Sequence, residues 1–319
     1  MTSTAPSAAP GNGSAPGEGT DPRRPAAPAP RRRRRVRDLR NEDGSRMSRG
    51  SVAVRYVLLA LVFLLCVGPF LWQLSTSLKS PGENVYSDPP KLLPEHPTLD
   101  NYQKVGEIIP VWDYALNSLK VALANVVSNV VGASMAGYAL ARLKFRGRKY
   151  AALVFLVAML VPAESIMIAQ LTTMRALDLH NTLTAVVLPG CVAALNVLLL
   201  RNAFRNIPEE IEEAAIVDGA GVWQRYFRIG LPAVKGTLAV VAIFAFMGAW
   251  DDFLWPLIVL TDDSNYTLTI GLNFLHGTFS NNQRLIAAGT MIAVVPLIVL
   301  FACLQKYFFR GVGEGAVKG

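Results

Sequence analysis

Asp251 and Asp252 sit side by side in AWDDFLWPL, within an otherwise apolar run. Carboxylates there need a reason, because an aspartate at the centre of a membrane helix costs about 2.5 to 3.5 kcal/mol on insertion scales. Neighbouring helical residues point about 100° apart, so the two need not share a task, but at least one must face protein or a water-filled cavity. Pairing inside a bundle and contact with a polar permeant both meet that requirement. Glu164, just after Pro162, is a third acid in an apolar run, and its place nearer the outer boundary predicts a solvated group. Asn125 and Asn129, with Asn117, Ser128, Gly132 and Ala136, form a small and polar stripe at near-helical spacing. Such a stripe suits close helix packing or the lining of a permeation pathway.

None of this assembles into catalysis. His96, His180 and His276 fall in or near outer loops without HExxH spacing, so neither a metal site nor a general base is indicated. Cys66, Cys191 and Cys303 lie in apolar segments, which predicts buried, inert thiols and no disulfide framework. No nucleophile and base share a span. No Gly-Lys dipeptide occurs, which excludes a Walker A phosphate loop; ATP, if used, must be bound by another polypeptide. The chain reads as a non-enzyme without a cofactor or metal of its own.

The elements that must position these residues are membrane helices. Of 319 residues, 52% are apolar, although the first fifty are polar, and that balance predicts an all-α, polytopic membrane protein. Six apolar segments, about 53–74, 114–139, 150–170, 183–200, 236–260 and 286–308, are each long enough to cross a hydrocarbon core of about 30 Å. In a regular fifth span the aspartate pair would lie about 15 Å deep. Pro162, Pro189, Pro256 and Pro296 interrupt four spans and permit bends.

Charge sets the orientation. Of 31 Lys and Arg, 24 fall in residues 1–49, 142–150, 201–235 and 306–319; Lys79, Lys91, Lys104, Lys120, Arg175 and Arg284 fall on the opposite side or its margins. The positive-inside rule then predicts a multi-pass cell-membrane protein with both termini and residues 201–235 in the cytoplasm. The same segregation makes the net charge of +8 a topology signal and not a nucleic-acid patch. Residues 1–48, rich in Pro, Ala and Arg, predict a disordered cytoplasmic tail that touches anionic lipid. The long polar lead does not fit a cleaved signal peptide. Residues 49–319 form the membrane domain, and the outer loop 75–111 is expected to be extended and held by contacts.

One polar stretch, 206–232, separates two apolar segments. It holds Glu213-Ala214-Ala215, then Gly219 after three residues, Ile229 after nine more, and Leu231-Pro232. The pattern predicts two short amphipathic helices. In the first, Ile211, Ala214 and Ala215 share a face, with Glu209, Glu210 and Glu212 to the sides and opposite. Gly219 suits the left-handed position that ends it. Val222, Arg225, Tyr226 and Ile229 repeat the spacing in the second, and Pro232 is placed to open the next membrane helix.

This spacing resembles the EAA loop of ABC-importer permeases. PTLDNYQKV, NSLKVAL, YALARLKFRGR, VPAESIMIAQL, RNAFRNIPEEIEEAAIVDGAG, AWDDFLWPL and QKYFFRGVGEGAVKG extend the likeness over about residues 50–319. The chain resembles a carbohydrate ABC-importer permease of the maltose-transporter type, with one departure: Asp251 stands where such proteins more usually carry asparagine. The resemblance implies six spans and a cytoplasmic EAA coupling loop. It implies a second permease subunit forming a heterodimer, an ATPase dimer that binds the ATP and Mg, and an extracytoplasmic sugar-binding protein. Glu213, Ala214, Ala215, Asp218, Gly219, Ile229, Leu231 and Pro232 would then meet the ATPase, as would the tail Gly315, Ala316, Val317, Lys318 and Gly319. Two other readings stand beside it: an ion-coupled secondary transporter using the acids, and an ABC permease for a solute other than sugar.

Overall fold

The computed structural model describes residues 49–88, 91–276 and 282–316. The predicted tail 1–48 and Val317–Gly319 lie outside them. Two units divide within the first helix: the first, ending at Leu61, is described only as the start of that helix, and all that follows concerns the second.

The regular structure among the described residues is all helical, with no strand among them. In chain order they form α1 (Arg49–Ser77), α2 (Asp100–Ile108), α3 (Val111–Arg142), α4 (Arg148–Ala158), α5 (Ala163–Ala176), α6 (Leu183–Val187) and α7 (Ala194–Arg205). There follow α8 (Glu209–Val217), α9 (Val222–Arg225), α10 (Leu231–Ala233), α11 (Lys235–Trp250), α12 (Leu254–Val259), α13 (Leu268–Phe274) and α14 (Gln283–Ala316).

Three helices, α1, α3 and α14, are individually long and apolar enough to cross a membrane; counting each bent pair as one span raises the number to as many as six. The pairs are α4 with α5, bent by 103°, α6 with α7 at 45°, and the stretch Val222–Ala233 with α11 at 80°. Proline placement explains part of this. Pro162 takes an extended ψ of 132° at the start of α5, and Pro189 sits in the turn after α6. Pro69 and Pro296, by contrast, lie inside α1 and α14, which run through them. A missing backbone bond is tolerable where the rest of the helix stays satisfied.

The fifth apolar segment departs from expectation. α11 stops at Trp250, Asp251 is its last cap, and helix resumes only at Leu254. A depth of 15 Å by regular rise therefore does not apply to the aspartates: they lie on non-helical backbone, which is admitted at membrane depth only where protein or water satisfies it. Pro232 does not open the next membrane helix either. It lies in α10, and α11 begins at Lys235 beyond the bend.

α3 is the axis of the fold. Near its C-terminal end Gly137 lets α7 approach so closely that a Cβ there would lie 2.9 Å from Arg201 N and from Leu200 Cβ. Around this contact Tyr138, Val197, Leu200, Phe204, Tyr226 and Val241 form one buried cluster. A second joins α2, α3, α11 and α14 through Val105, Tyr114, Phe246 and Trp250. A third joins α3 to α5, α6 and α12 through Val121, Met174, Val186, Trp255 and Val259. Cys66 and Cys303 are exposed and Cys191 is partly so, which corrects the expectation of buried thiols; α1 and α14, which carry the first and last, turn apolar faces outward.

The stretch 75–111, expected to be an extended outer loop, is not simply extended. DNYQKVGEI folds as α2, docked by buried Asn101, whose Nδ2 donates to Ser77 O and Lys79 O at 2.8 Å each. Lys79 is wholly buried, donates to Lys91 O at 2.8 Å, and lies over the Trp72 ring. Arg284 Nη1 ties α14 to this loop by donating to the carbonyls of Ser80, Pro81 and Glu83.

Glu83 organises the loop tip. Burial nudges its carboxyl upward, but the backbone N–H groups of Glu95, His96 and Ser80 and the Ser80 hydroxyl outweigh that and hold it at about 2, against an ordinary 4.5. Since the folded value is depressed, the stabilisation is complete above about pH 4.5 and is lost as pH falls through about 2. Glu83→Gln is expected to speed hydrogen exchange at the Glu95 and His96 amides at neutral pH, where the native loop protects them. Mass spectrometry of peptides covering 80–98 reads this out, and equal exchange in both proteins would remove Glu83 from that role.

Candidate functional site

Five residues singled out from the sequence line one cleft. Asn125 and Asn129 come from α3, Glu164 from α5, and Asp251 and Asp252 from the break after α11; the cavity they share measures about 620 Å³. That volume lies within the range of small-ligand sites, about 300 to 1,000 Å³. Glu164 is exposed, as expected of a solvated group, and it also lines this cleft. The 103° bend after α4 brings α5 back so that its first turn joins the same wall as the aspartates.

The wall combines fixed and open polar groups. Asn129 is fully engaged: its Nδ2 donates to Gly190 O at 2.8 Å and to Asn125 O at 3.0 Å, and its Oδ1 accepts from Ala193 N at 2.9 Å and Asn196 Nδ2 at 3.0 Å. It therefore pins the turn between α6 and α7 to α3, where neighbouring backbone groups need partners. Asp252 receives the backbone N–H groups of Trp255 and Phe253, while Asp251 and Glu164 are exposed to the cleft. None of the three carboxylates has an ion-pair partner among the described residues. Phe244, Phe253 and Trp255 add aromatic surface, and Trp255 is held by its Nε1 donating to Ala185 O at 3.1 Å. Sequence reasoning missed Gln170, Asn196 and Trp255. For Asn196 a signal existed, a lone amide in an apolar helix; for Trp255 none did, because its partner lies 70 residues away.

The polar stretch after α7 forms the second feature. α8 carries Glu209, Glu210 and Glu212 in its first turn, where the partial positive charge of the helix end favours them. It ends in a Schellman arrangement. Gly219 has φ +79°, Ala220 N bonds to Ala215 O at 2.9 Å, and Gly219 N bonds to Ile216 O at 3.0 Å. Gln224 Oε1 then accepts Gly221 N at 2.9 Å to start α9.

The facing of α8 differs from the predicted one. Ala215 is buried, but Ile211 is 48% exposed, and the group turned inward is Glu212. Its carboxylate accepts the Tyr138 hydroxyl at 2.6 Å and pairs with Arg142 Nε at 3.2 Å and Arg225 Nη1 at 3.6 Å. Arg142 also donates to Phe204 O at 2.7 Å and to Ile207 O. Tyr226 closes the assembly through its hydroxyl contact with Ser134 Oγ at 2.6 Å and its ring against Tyr138. A period-3.6 reading sends a charge outward; a buried guanidinium pair reverses that.

The outward surface carries Glu213, Ala214, Ile216 and Val217 of α8 with Val222, Trp223 and Phe227 beyond the turn, all exposed in the single chain. Asp218 caps α8, and Leu231 and Pro232 follow a π-turn over Tyr226–Gly230 that includes Ile229. Gly315 and Ala316 are the last residues of α14.

Comparison with known proteins places these features in context. The profile of the family described as "Binding-protein-dependent transport system inner membrane component" matches residues 128–314. The arabinooligosaccharides transport system permease protein AraQ of Halalkalibacterium halodurans is 37% identical, over 77% of this chain and 86% of its own length. The galactooligosaccharides transport system permease protein GanQ of Bacillus subtilis is 32% identical, over 83% and 94%. A crystal structure of a bacterial ABC transporter involved in the import of the acidic polysaccharide alginate superposes with a TM-score of 0.74 at 23% identity, over 83% of this chain and 99% of that one, a likeness of fold. The chain belongs to the family of binding-protein-dependent transport system inner membrane components and is a membrane-embedded transport permease.

Proposed function

We propose that this permease moves a sugar or oligosaccharide through the cleft between α3, α5, α7 and α11, driven by ATP hydrolysed on a separate subunit. The observation that carries the reading is the cleft itself: hydrogen-bonding side chains and aromatic faces share a cavity at a break in a membrane helix. The relatives named for oligosaccharide transport support the cargo class.

In this reading each bent pair counts as one span, giving six, with both termini and the loop 206–232 cytoplasmic. A second permease subunit completes the bundle, an extracytoplasmic binding protein delivers the cargo, and an ATPase dimer carrying ATP and Mg docks on the exposed face of α8 and α9. Because Glu212 and Tyr226 tie that face to α3 and α7, motion of the docked loop would be delivered to the helices that wall the cleft. Alternating access follows from rocking those helices.

Radiolabelled arabinotriose and galactobiose, offered to cells with and without this chain, test it. Chain-dependent uptake should persist when an ionophore collapses ion gradients and stop when ATP is depleted with gradients intact. The reverse pattern would assign the acids to ion coupling.

A further inference from the structure

The charge of the cleft narrows the cargo. Its wall holds three carboxylates, Glu164, Asp251 and Asp252, and no Lys, Arg or His. We propose that the cleft admits neutral or amine-bearing saccharides and turns away uronates, a selection that rests on reading this cavity as the sugar pathway.

An anionic sugar entering here would meet like charge from several sides in a low-dielectric setting, with no cation in this wall to receive it. Carboxylates are, however, strong acceptors for hydroxyl and ammonium donors. A second observation points to a donor-rich ligand. Asn196 lines the same cleft and is only 3% exposed; its Nδ2 is spent on Asn129, while its Oδ1 has no partner among the described residues. A buried acceptor left without a partner is costly, and a turn of the Asn196 amide toward the cleft would offer it to a sugar hydroxyl. Phe244, exposed in the same lining, and Phe253 offer aromatic surface for the apolar side of a pyranose ring. The fold neighbour that imports alginate handles an acidic polysaccharide; by this assignment the present chain takes the opposite class.

The test begins with a reporter. Gly248 lines the cleft, and a Cβ added there meets nothing within 4 Å. In a background of Cys66→Ser, Cys191→Ser and Cys303→Ser, Gly248→Cys in the assembled transporter is treated with a cationic trimethylammonium and an anionic sulfonate methanethiosulfonate. The ratio of the two rates should exceed that of a free thiol by about tenfold or more, and should fall to the free-thiol value in Glu164→Gln/Asp251→Asn/Asp252→Asn. A free-thiol ratio in the parent overturns the charge selection alone. Failure of both reagents, when the unfolded protein reacts, removes the pathway reading on which the selection rests. Uptake supplies a second arm with labelled cellobiose, the glucosamine disaccharide and cellobiouronic acid: chain-dependent uptake of the uronate would overturn the proposal, and the reagent ratio decides if none is carried.

Discussion

ATP-driven uptake is expected to fall to background in Glu213→Lys and in Gly219→Asp, and the ATPase to be lost on purification, while the permease stays in the membrane fraction. Both positions face outward, so neither change disturbs the interior of this chain. Gly219 has φ +79°, and a Cβ there meets nothing within 4 Å. Asp and Asn enter the left-handed region at lower cost than other side chains, so Gly219→Asp tests crowding and charge at the docking face more than backbone strain. Gly219→Val is the contrasting case, since a β-branched residue at positive φ is strained whatever surrounds it; it should also lower the stability of the chain by about 1 to 2 kcal/mol. Glu213→Lys reverses a charge that makes no ion pair among the described residues, so its effect must arise from a partner. Quantitative recovery of the ATPase together with normal uptake in both variants would remove the loop from coupling.

The second large effect is expected at Glu212, whose side chain is 13% exposed and serves Arg142, 6% exposed, and Arg225, 13% exposed. Removing one partner of a buried ionic group costs about 3 to 5 kcal/mol, because the remaining charge stays buried without compensation. Glu212→Ala strands two guanidinium groups and the Tyr138 hydroxyl at once, so about 3 kcal/mol is expected despite residual solvent access. Arg142 retains the carbonyls of Phe204 and Ile207, whereas Arg225 Nε already lacks a partner. Glu212→Ala/Arg225→Met should therefore recover part of the loss, a coupling measurable by a double-mutant cycle. Thermal unfolding of the purified transporter, with uptake measured in parallel, checks this. A Glu212→Ala stability within about 0.5 kcal/mol of the parent would show that the pair contributes only as a surface pair does.

These two expectations come from different sources. Glu213 and Gly219 were legible in the chain because they belong to a local pattern: a helix N-terminus of acids, a small-residue face, and a glycine where the backbone must turn left-handed. Glu212 was not legible, since its inward turn depends on Tyr138 and Arg142 from α3, more than sixty residues earlier. Likewise the apolar runs marked which segments are apolar enough to cross a membrane, singly or as bent pairs, but composition does not report where a helix breaks. Pro69 and Pro296 pass without interruption while Pro162 stands at a 103° bend. α2 escaped notice because its short polar sequence is helical mainly through docking on α14 and through the tie of Asn101 to the chain leaving α1.

The sequence by itself determined that this chain is an all-helical membrane protein, which acids in it require explanation, and where a glycine-ended polar loop interrupts the bundle. Hydropathy, charge bias and turn chemistry are local properties, readable within a window of one helix. Only the tertiary structure decided that Glu164, Asp251 and Asp252 share one cleft with Asn125, Asn129 and Asn196, and that Glu212 and not Ile211 faces inward. Those facts depend on bends and contacts between residues far apart in the chain, as Asn125 and Asp252 are, where backbone breaks and buried charge pairs outweigh periodicity.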